Sequence, residues 1–384
     1  MKLLHTSDWH VGKVLKGISR LEEQRAVLGG LVAVARREAV DVVLVAGDLY
    51  ESAVPPPEAQ ALVWETLLAL RDTGAAVVAV AGNHDHAAQL DALRPLAAAA
   101  GITVVGRARR PDDGGVVDIT TGGGERVKVA AFPFLSQRSV VKADQLMRDD
   151  AAQYAGTYAE RCRRVLESLC AGFGSGTVNI VVAHGMVRGG LPGGGERDAQ
   201  TVFEDYWIDP TAFPASAHYV ALGHLHRTQQ LPGGAPIWYS GSPIQVDFGE
   251  GGHEKHALLV EATAATPAKV EPVPLLGVRR LQTVEGTLAE LRARAAGLTG
   301  DLLRVVVNEP ARAGLADDVR ELLPNTVDVR IAAPAAVGDE RRPSRAGLSP
   351  HALFRAYLDQ QGVADERVEA LFARLLDEAA GAEP

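Results

Sequence analysis

The chain has 384 residues, 47% hydrophobic and 23% charged, with a formal net charge of −9 and a sequence pI of about 5.7. That acidity excludes a generally basic nucleic-acid coat, though a local patch or bound metal ions can still supply a positive field. The apolar content excludes a disordered chain, no apolar run reaches the ~18 residues of a transmembrane helix, and the opening MKLLHTSDWH does not read as a secretory signal. At roughly 100–200 residues per domain, two or three domains are expected.

Leu3–His5 reads as the first strand, and Asp8-Trp9-His10 follows it. Ser19 with Glu22 reads as a capping box that opens a helix running to about Ala39. The apolar strand Val42–Ala46 ends in Gly47-Asp48. Pro55–Pro57 open a second helix, with Leu62, Val63, Leu67 and Leu70 on its buried side and Gly74 after it. Strand Ala76–Val80 leads into Gly82-Asn83-His84-Asp85. Val116–Thr120 and Arg126–Val129, around Gly122–Gly124, read as a hairpin whose second arm continues as the strand Val127–Ala131. Arg161 to Cys170 reads as a helix carrying both cysteines, Cys162 and Cys170, which are expected to pack in a reducing cytoplasm rather than form a disulfide. Strand Val178–Ala183 ends in His184-Gly185 and a glycine-rich loop around 189–195, and strand Tyr219–Leu222 ends in Gly223-His224-Leu225-His226. Strands Ile237–Tyr239 and His256–Val260 complete this part. Several of these runs are apolar without alternation, as strands covered on both faces are.

Beyond about 277 the pattern changes. A small α+β unit is expected over 276–336, with strands near Arg279–Thr283, Leu302–Val307 and Val327–Ile331 and helices Leu288–Ala296 and Ala316–Leu323. Residues 337–348 read as a linker. Ser349 and Pro350 open an amphipathic helix with Leu353, Phe354, Tyr357 and Leu358. After a break at Gly362, a second helix carries Val368, Leu371, Phe372, Leu375 and Leu376. Such paired stripes suit docking into a partner's groove.

Five strands thus each deliver Asp, Asn or His just beyond their carboxyl ends, where open α/β sheets bind ligands. Imidazole and carboxylate together suit Mn²⁺, Fe²⁺ or Zn²⁺, and the donors suffice for two ions, with Asp48 the best candidate to bridge them. Two divalent ions carry four positive charges and Asp8 and Asp48 return only two negative ones, which favours an anionic phosphate substrate. Two such ions can clamp a phosphate and activate water for in-line attack. His84, beside Asp85, is placed to protonate a leaving oxygen or stabilise the transition state.

The motif order D-x-H, GD, GNHD, H, GHxH resembles that of the calcineurin-like metallophosphoesterases. HTSDWHVGKVLKG at 5–17, VALGHLHRTQQ at 220–230 and YSGSPIQVDFGE at 239–250 narrow the resemblance to the SbcD family, the nuclease subunits of bacterial SbcCD complexes. It covers about 1–275 strongly and the rest in layout. It implies a β-sandwich flanked by helices, with one metal held by Asp8, His10, Asp48 and His226, and the second by Asp48, Asn83, His184 and His224. His84 would be the catalytic histidine. It further implies two Mn²⁺ ions, 3′ to 5′ double-strand exonuclease and single-strand or hairpin endonuclease activity on DNA, and roles in DNA repair and recombination in the cytoplasm. The SbcD-like chain would form a homodimer and a heterotetramer with an SbcC-type ATPase. The 276–336 unit would be a capping domain and the 349–384 helices the docking segment, through Leu353, Phe354, Tyr357, Leu358, Leu371, Phe372 and Leu375.

The sequence departs from that pattern at Tyr50, Glu51, His86 and Thr228, none of them among the implied ligands. Trp9, Arg188 and Arg197 are candidates to contact DNA, and for Trp9 an orienting packing role is at least as good a reading. His5, His218, His253, His256 and His351 read as packing or surface residues. A small-molecule phosphodiesterase with the same metal clamp, and a DNA-end tethering scaffold, are the competing readings. The long tail counts against the first, and the full set of seven ligand residues against the second.

Overall fold

A computed structural model describes residues 1–147, 156–196, 206–332, 350–361 and 365–381. Its first half runs β1 (Lys2–Thr6), β2 (Val14–Leu15), β3 (Ile18–Ser19), α1 (Leu21–Glu38), β4 (Val42–Ala46), α2 (Pro57–Arg71), β5 (Ala76–Val80), α3 (Ala87–Ala99), β6 (Ile102–Val105), β7 (Val116–Thr120) and β8 (Arg126–Phe132). Then come α4 (Gln137–Leu146), α5 (Tyr158–Cys170), β9 (Val178–His184), β10 (Tyr219–Gly223), β11 (Gln229–Leu231), β12 (Ile237–Tyr239), β13 (His256–Thr263) and β14 (Thr266–Pro274).

These strands form two six-stranded sheets, ordered β14-β13-β1-β4-β5-β6 and β11-β12-β10-β9-β8-β7. The central strands β1, β4, β5 and β6 are parallel, as are β8, β9, β10 and β12. Their ends therefore point the same way and collect the loops that follow them. In β4, Val42, Leu44 and Ala46 face the other sheet, packing with Val129, Ile180, Val182 and Tyr219. Val43 and Val45 of the same strand face the helices, with Leu28 and Leu31 of α1 and Leu62 and Leu67 of α2. Strand residues alternate between faces, so an unbroken apolar run is the signature of burial on both. Each fully buried Val or Leu side chain contributes roughly 1.5–3 kcal/mol. The second sheet is covered in the same way by α4 and α5, where Cys162 and Cys170 are free and buried.

Element boundaries in the sandwich match the sequence pattern closely, with two corrections. The Ser19–Glu22 capping box does not form, because α1 starts after Arg20, which makes no side-chain cap. Arg20 is buried instead, paired with Glu23 and donating to the Gln245 carbonyl at 2.9 Å. A genuine capping box sits at Thr157 and Glu160, ahead of α5, so that helix begins at Tyr158 rather than Arg161.

The remaining elements are β15 (Leu281–Gly286), α6 (Leu288–Arg294), β16 (Leu302–Val307), α7 (Leu315–Leu322) and β17 (Thr326–Ile331). The three strands are parallel, in the order β15-β16-β17, and enclose a small core of Val284, Leu291, Leu303, Val305 and Val319. This unit rests on the sandwich through Leu281 and Leu302, which pack with Leu15 and Phe248. Arg304 lies over the Phe248 ring at 4.3 Å, and the Leu281 amide donates to Gln245 Oε1 at 2.6 Å.

Helices α8 (Pro350–Gln361) and α9 (Glu366–Gly381) pair through stacked Phe354 and Phe372 rings at 3.9 Å, with Leu358 buried. Tyr357, Leu371 and Leu375 stay 55%, 45% and 49% exposed. The expected linker at 337–348 and the break at Gly362 lie outside the described residues. Among the described residues no helix is long and apolar enough to cross a membrane.

Candidate metal centre

The five strand ends converge. Asp8 and His10 follow β1, Asp48 follows β4, Asn83 and His84 follow β5, His184 closes β9, and His224 and His226 follow β10. Asp8, His10, Asp48, His184, His224 and His226 are all buried. Asp8 (φ 53°), His10 (φ 46°), Asp48 (φ 51°) and His224 (φ 112°) have left-handed backbones, which cost of order 1–3 kcal/mol each in a non-glycine residue. The loops are pinned in that shape by main-chain bonds, Asp8 N to Gly47 O at 2.9 Å and His10 N to Asp48 O at 3.0 Å. Gly82 lies so close to this turn that a Cβ there would fall 2.1 Å from Asp48 Oδ1, and one at Gly47 (φ 87°) would fall 2.3 Å from His184 Nδ1.

Three groups of side chains could each hold a metal ion: Asp8, His10 and His226; His10, Asp48 and His84; Asp48, His184 and His224. Asp48 belongs to two of them. His184 Nδ1 donates to the Ala46 carbonyl at 2.8 Å, which leaves the Nε2 lone pair turned inward. His226 Nδ1 faces Glu250 Oε1 at 3.0 Å and Gly194 O at 3.1 Å, with the same consequence. His226 Nε2 then meets His10 Nε2 at 3.1 Å, a contact bridged by one ring's N–H or by a shared cation. On the other side, His184 Nε2 at 2.9 Å and His224 Nδ1 at 2.8 Å both converge on Asn83 Oδ1, with Asp48 Oδ2 3.5 Å from His184 Nε2. His224 Nε2 is buried with no hydrogen-bond partner among the described residues. A neutral-oxygen, imidazole and carboxylate set of this kind, free of thiolates, fits divalent transition metals.

Burial dominates the electrostatics. It pushes the Asp8 carboxyl up to about 6 and Asp85 up to about 7, and holds His10 down to about 4 and His224 well below the usual imidazole range. At Asp48 the neighbouring imidazoles of His184, His84 and His10 outweigh burial and hold the carboxyl far below its usual range. At His226, Glu250 likewise outweighs burial and pushes the imidazole up to about 9.

A family model described as Calcineurin-like phosphoesterase matches residues 1–228. The chain is 34% identical over 279 residues to the SbcD subunit of the SbcCD nuclease of Bacillus subtilis (strain 168), covering 72% of this chain and 70% of that protein. This chain belongs to the SbcD family of calcineurin-like phosphoesterases. It is also 34% identical over 289 residues to the SbcD subunit of the nuclease of Rhodobacter capsulatus, covering 72% of this chain and 71% of that protein. The corresponding figures for that of Escherichia coli (strain K12) are 30% over 316 residues, 77% and 73%.

The structure thus gathers the expected SbcD-type ligand residues into one cluster and gives several of the other candidates different contacts. Trp9 is fully buried, its indole N–H donating to Thr6 Oγ1 at 3.0 Å, so it lines no substrate path. Asp85 does not touch the His84 ring. Its carboxylate accepts from the amides of Gly82 at 2.8 Å, Tyr50 at 3.0 Å and Leu49 at 3.2 Å, clamping the two turns together. Instead, His84 Nδ1 donates to the Glu51 carbonyl at 2.7 Å. His86 is the N-cap of α3, accepting from Gln89 N. Arg188 is exposed and sits 5.5 Å from the Trp207 ring centroid; Arg197 lies outside the described residues. His5 is structural, between Tyr219 Oη at 2.8 Å and Leu222 O at 3.1 Å.

Sequence reasoning missed the residues around the ligands. Glu51 Oε2 lies 3.0 Å from His10 Nδ1, and Gln24 Nε2 donates to His10 O at 2.6 Å. Glu196 accepts from the amides of Gly193, Gly194 and His226. Glu250 and Lys255 are buried beside His226. Of these, Glu250 alone carries a signal in the sequence, since it closes the motif YSGSPIQVDFGE.

Proposed function

We propose that this chain is the metal-dependent nuclease subunit of an SbcCD-type complex, hydrolysing DNA phosphodiesters. The observation that carries the reading is the chain of overlapping candidate ligand clusters, among the described residues, that runs from Asp8, His10 and His226 through Asp48 to His184 and His224. Asp8, His10, Asp48 and His226 would hold one ion, and Asp48, Asn83, His184 and His224 the other, both Mn²⁺. Ions there supply the charge that neutralises a phosphodiester and lowers the pKa of an attacking water.

The chain's own residues do the rest. The Ala46, Gly194 and Glu51 contacts fix the tautomers of His184, His226 and His84. With Nδ1 committed to the Glu51 carbonyl, His84 presents Nε2 as the atom that carries a proton to the leaving oxygen. Its main-chain N–H donates to Asp48 Oδ1 at 2.8 Å, so the catalytic ring is indexed to the shared ligand. Asp85 contributes by position, holding the Gly82 turn against Leu49 and Tyr50.

The relatives are named as subunits of SbcCD nucleases. On that basis we place this chain with an SbcC-type ATPase as a homodimer within a heterotetramer, working in the cytoplasm in DNA repair and recombination. The exposed Tyr357, Leu371 and Leu375 supply an apolar docking face on α8 and α9. The unit from β15 to β17, seated on Phe248 beside the centre, supplies a cap that positions DNA.

The test is cleavage of a labelled hairpin and a blunt duplex by the purified chain with Mn²⁺, Mg²⁺ or EDTA. Manganese-dependent cutting from 3′ ends and at the hairpin is expected. Hydrolysis of bis-p-nitrophenyl phosphate with no DNA cutting, even after an SbcC-type ATPase is added, would favour a small-molecule phosphodiesterase.

A further inference from the structure

We propose that Glu250 is the positioning residue of the Asp8–His10–His226 side of the centre and that Lys255 keeps it in place; the proposal rests on the reading of His226 as a metal ligand. Glu250, Lys255, Ser242 and His226 are all nearly inaccessible to solvent, at 0%, 4%, 0% and 2% exposure. Glu250 Oε1 faces His226 Nδ1 at 3.0 Å, and its other oxygen pairs with the Lys255 ammonium and accepts from Ser242 Oγ at 3.3 Å. Lys255 Nζ donates in turn to the His226 carbonyl at 3.0 Å and to Ser242 Oγ at 2.9 Å. His226 is thus gripped twice, its ring by the carboxylate and its backbone by the ammonium.

Stability does not account for this arrangement. The desolvation of a buried ion pair offsets most of its attraction, and an apolar pair of similar volume would serve the fold as well. A carboxylate on the far nitrogen of a ligating imidazole has a specific effect: it fixes the tautomer, aims the ring and raises its basicity toward a cation. Glu250 is in the right place for that. The short helical turn that carries it also carries Phe248, and the turn follows Gln245; these two residues seat β15 and β16. The loop that supports the three-stranded unit therefore also aims His226.

The experiment is a calorimetric Mn²⁺ titration of the full-length chain and of Glu250→Ala, Glu250→Gln and Lys255→Met, with thermal unfolding in EDTA alongside. The wild type should bind two ions. Glu250→Ala should weaken one site by about 10–100-fold, the range for loss of such a partner, and leave the other unchanged. Glu250→Gln, which can still accept from His226 Nδ1, should recover part of that loss, and Lys255→Met should weaken the same site. Two wild-type affinities in a folded Glu250→Ala would overturn the proposal. Equal weakening of both sites with a lowered unfolding temperature would also overturn it, in favour of a purely structural role. A wild type that binds no Mn²⁺ removes the centre and the proposal together, whereas two bound ions without DNA cleavage would sink the nuclease reading and leave the role of Glu250 intact.

Discussion

Asp8, His10 and His226 carry side-chain braces on top of their main-chain bonds, while Asp48 and His184 are braced by main chain. On the first side stand Ser7, Gln24, Glu196 and Glu250, each donating to or accepting from a candidate ligand residue, with Glu51 Oε2 3.0 Å from His10 Nδ1. On the second, the Ala46 carbonyl, the His84 amide and the close backbone of Gly47 and Gly82 do the same work. A main-chain brace is fixed by sheet topology and tolerates no adjustment. A side-chain brace can be altered one residue at a time. Changes on the second side should therefore act all-or-none, and changes on the first in graded steps.

The largest effect belongs to Asp48, which serves both sides. Asp48→Asn should drop Mn²⁺-dependent cleavage to background and remove paired ion binding; a variant that retained both ions would break the comparison at its centre. His84→Ala comes next. It should lower turnover by about 10²–10⁴-fold, the usual worth of a positioned proton donor, and leave the Mn²⁺ stoichiometry unchanged. If that variant lost metal, His84 would be a ligand. Gly82→Ala sharpens the contrast, because its methyl would have to displace Asp48. Overpacking of that kind costs about 1–3 kcal/mol, and both ion sites should suffer together, as a calorimetric titration would show.

A smaller effect lies away from the metals, where β1 meets β10. Burial holds His5 down to about 3 from 6.5, although its bond to the Leu222 carbonyl opposes this. The unfolded chain takes up a proton below about 6.5 and the folded chain does not until about 3. His5 therefore makes stability fall as pH drops through that window, by several kcal/mol in all. Denaturant titrations from pH 7 to pH 4 should show this acid limb, and His5→Gln should flatten it; an unchanged slope would assign the acid limb to other groups. Last, removing 348–384 should leave Mn²⁺-dependent cleavage within about twofold, a cost under 1 kcal/mol by the rate relation, and abolish co-purification with an SbcC-type ATPase. Retained co-purification would move the docking face elsewhere.

Much of the sandwich was legible because burial on both faces leaves a plain signal. β4 and β5 could be read to the residue from VVLVA and AVVAV. The candidate ligands were legible for a related reason, since each follows such a run directly. The three-stranded unit was legible because its strands and helices alternate at local spacing, Leu302–Val307 again to the residue. What escaped depends on tertiary approach. α3 has six Ala among its 13 residues and carries Pro95 inside it, so it shows no clear stripe. β14 has three prolines that only an edge strand accommodates. Trp9, set between two ligand residues, gives no sign in sequence that its indole turns inward to Thr6. Lys255 looks like a surface charge, and the motif that ends in Glu250 does not show that its carboxylate meets His226 until the fold brings the two together.

The most direct test of the central claim is anomalous X-ray diffraction from crystals of the chain grown with Mn²⁺. The account predicts two manganese peaks about 3.5–4 Å apart with the Asp48 carboxylate between them. One peak would lie beside Asp8, His10 and His226, the other beside Asn83, His184 and His224. A single peak, or two peaks with Asp48 turned away from both, would contradict it.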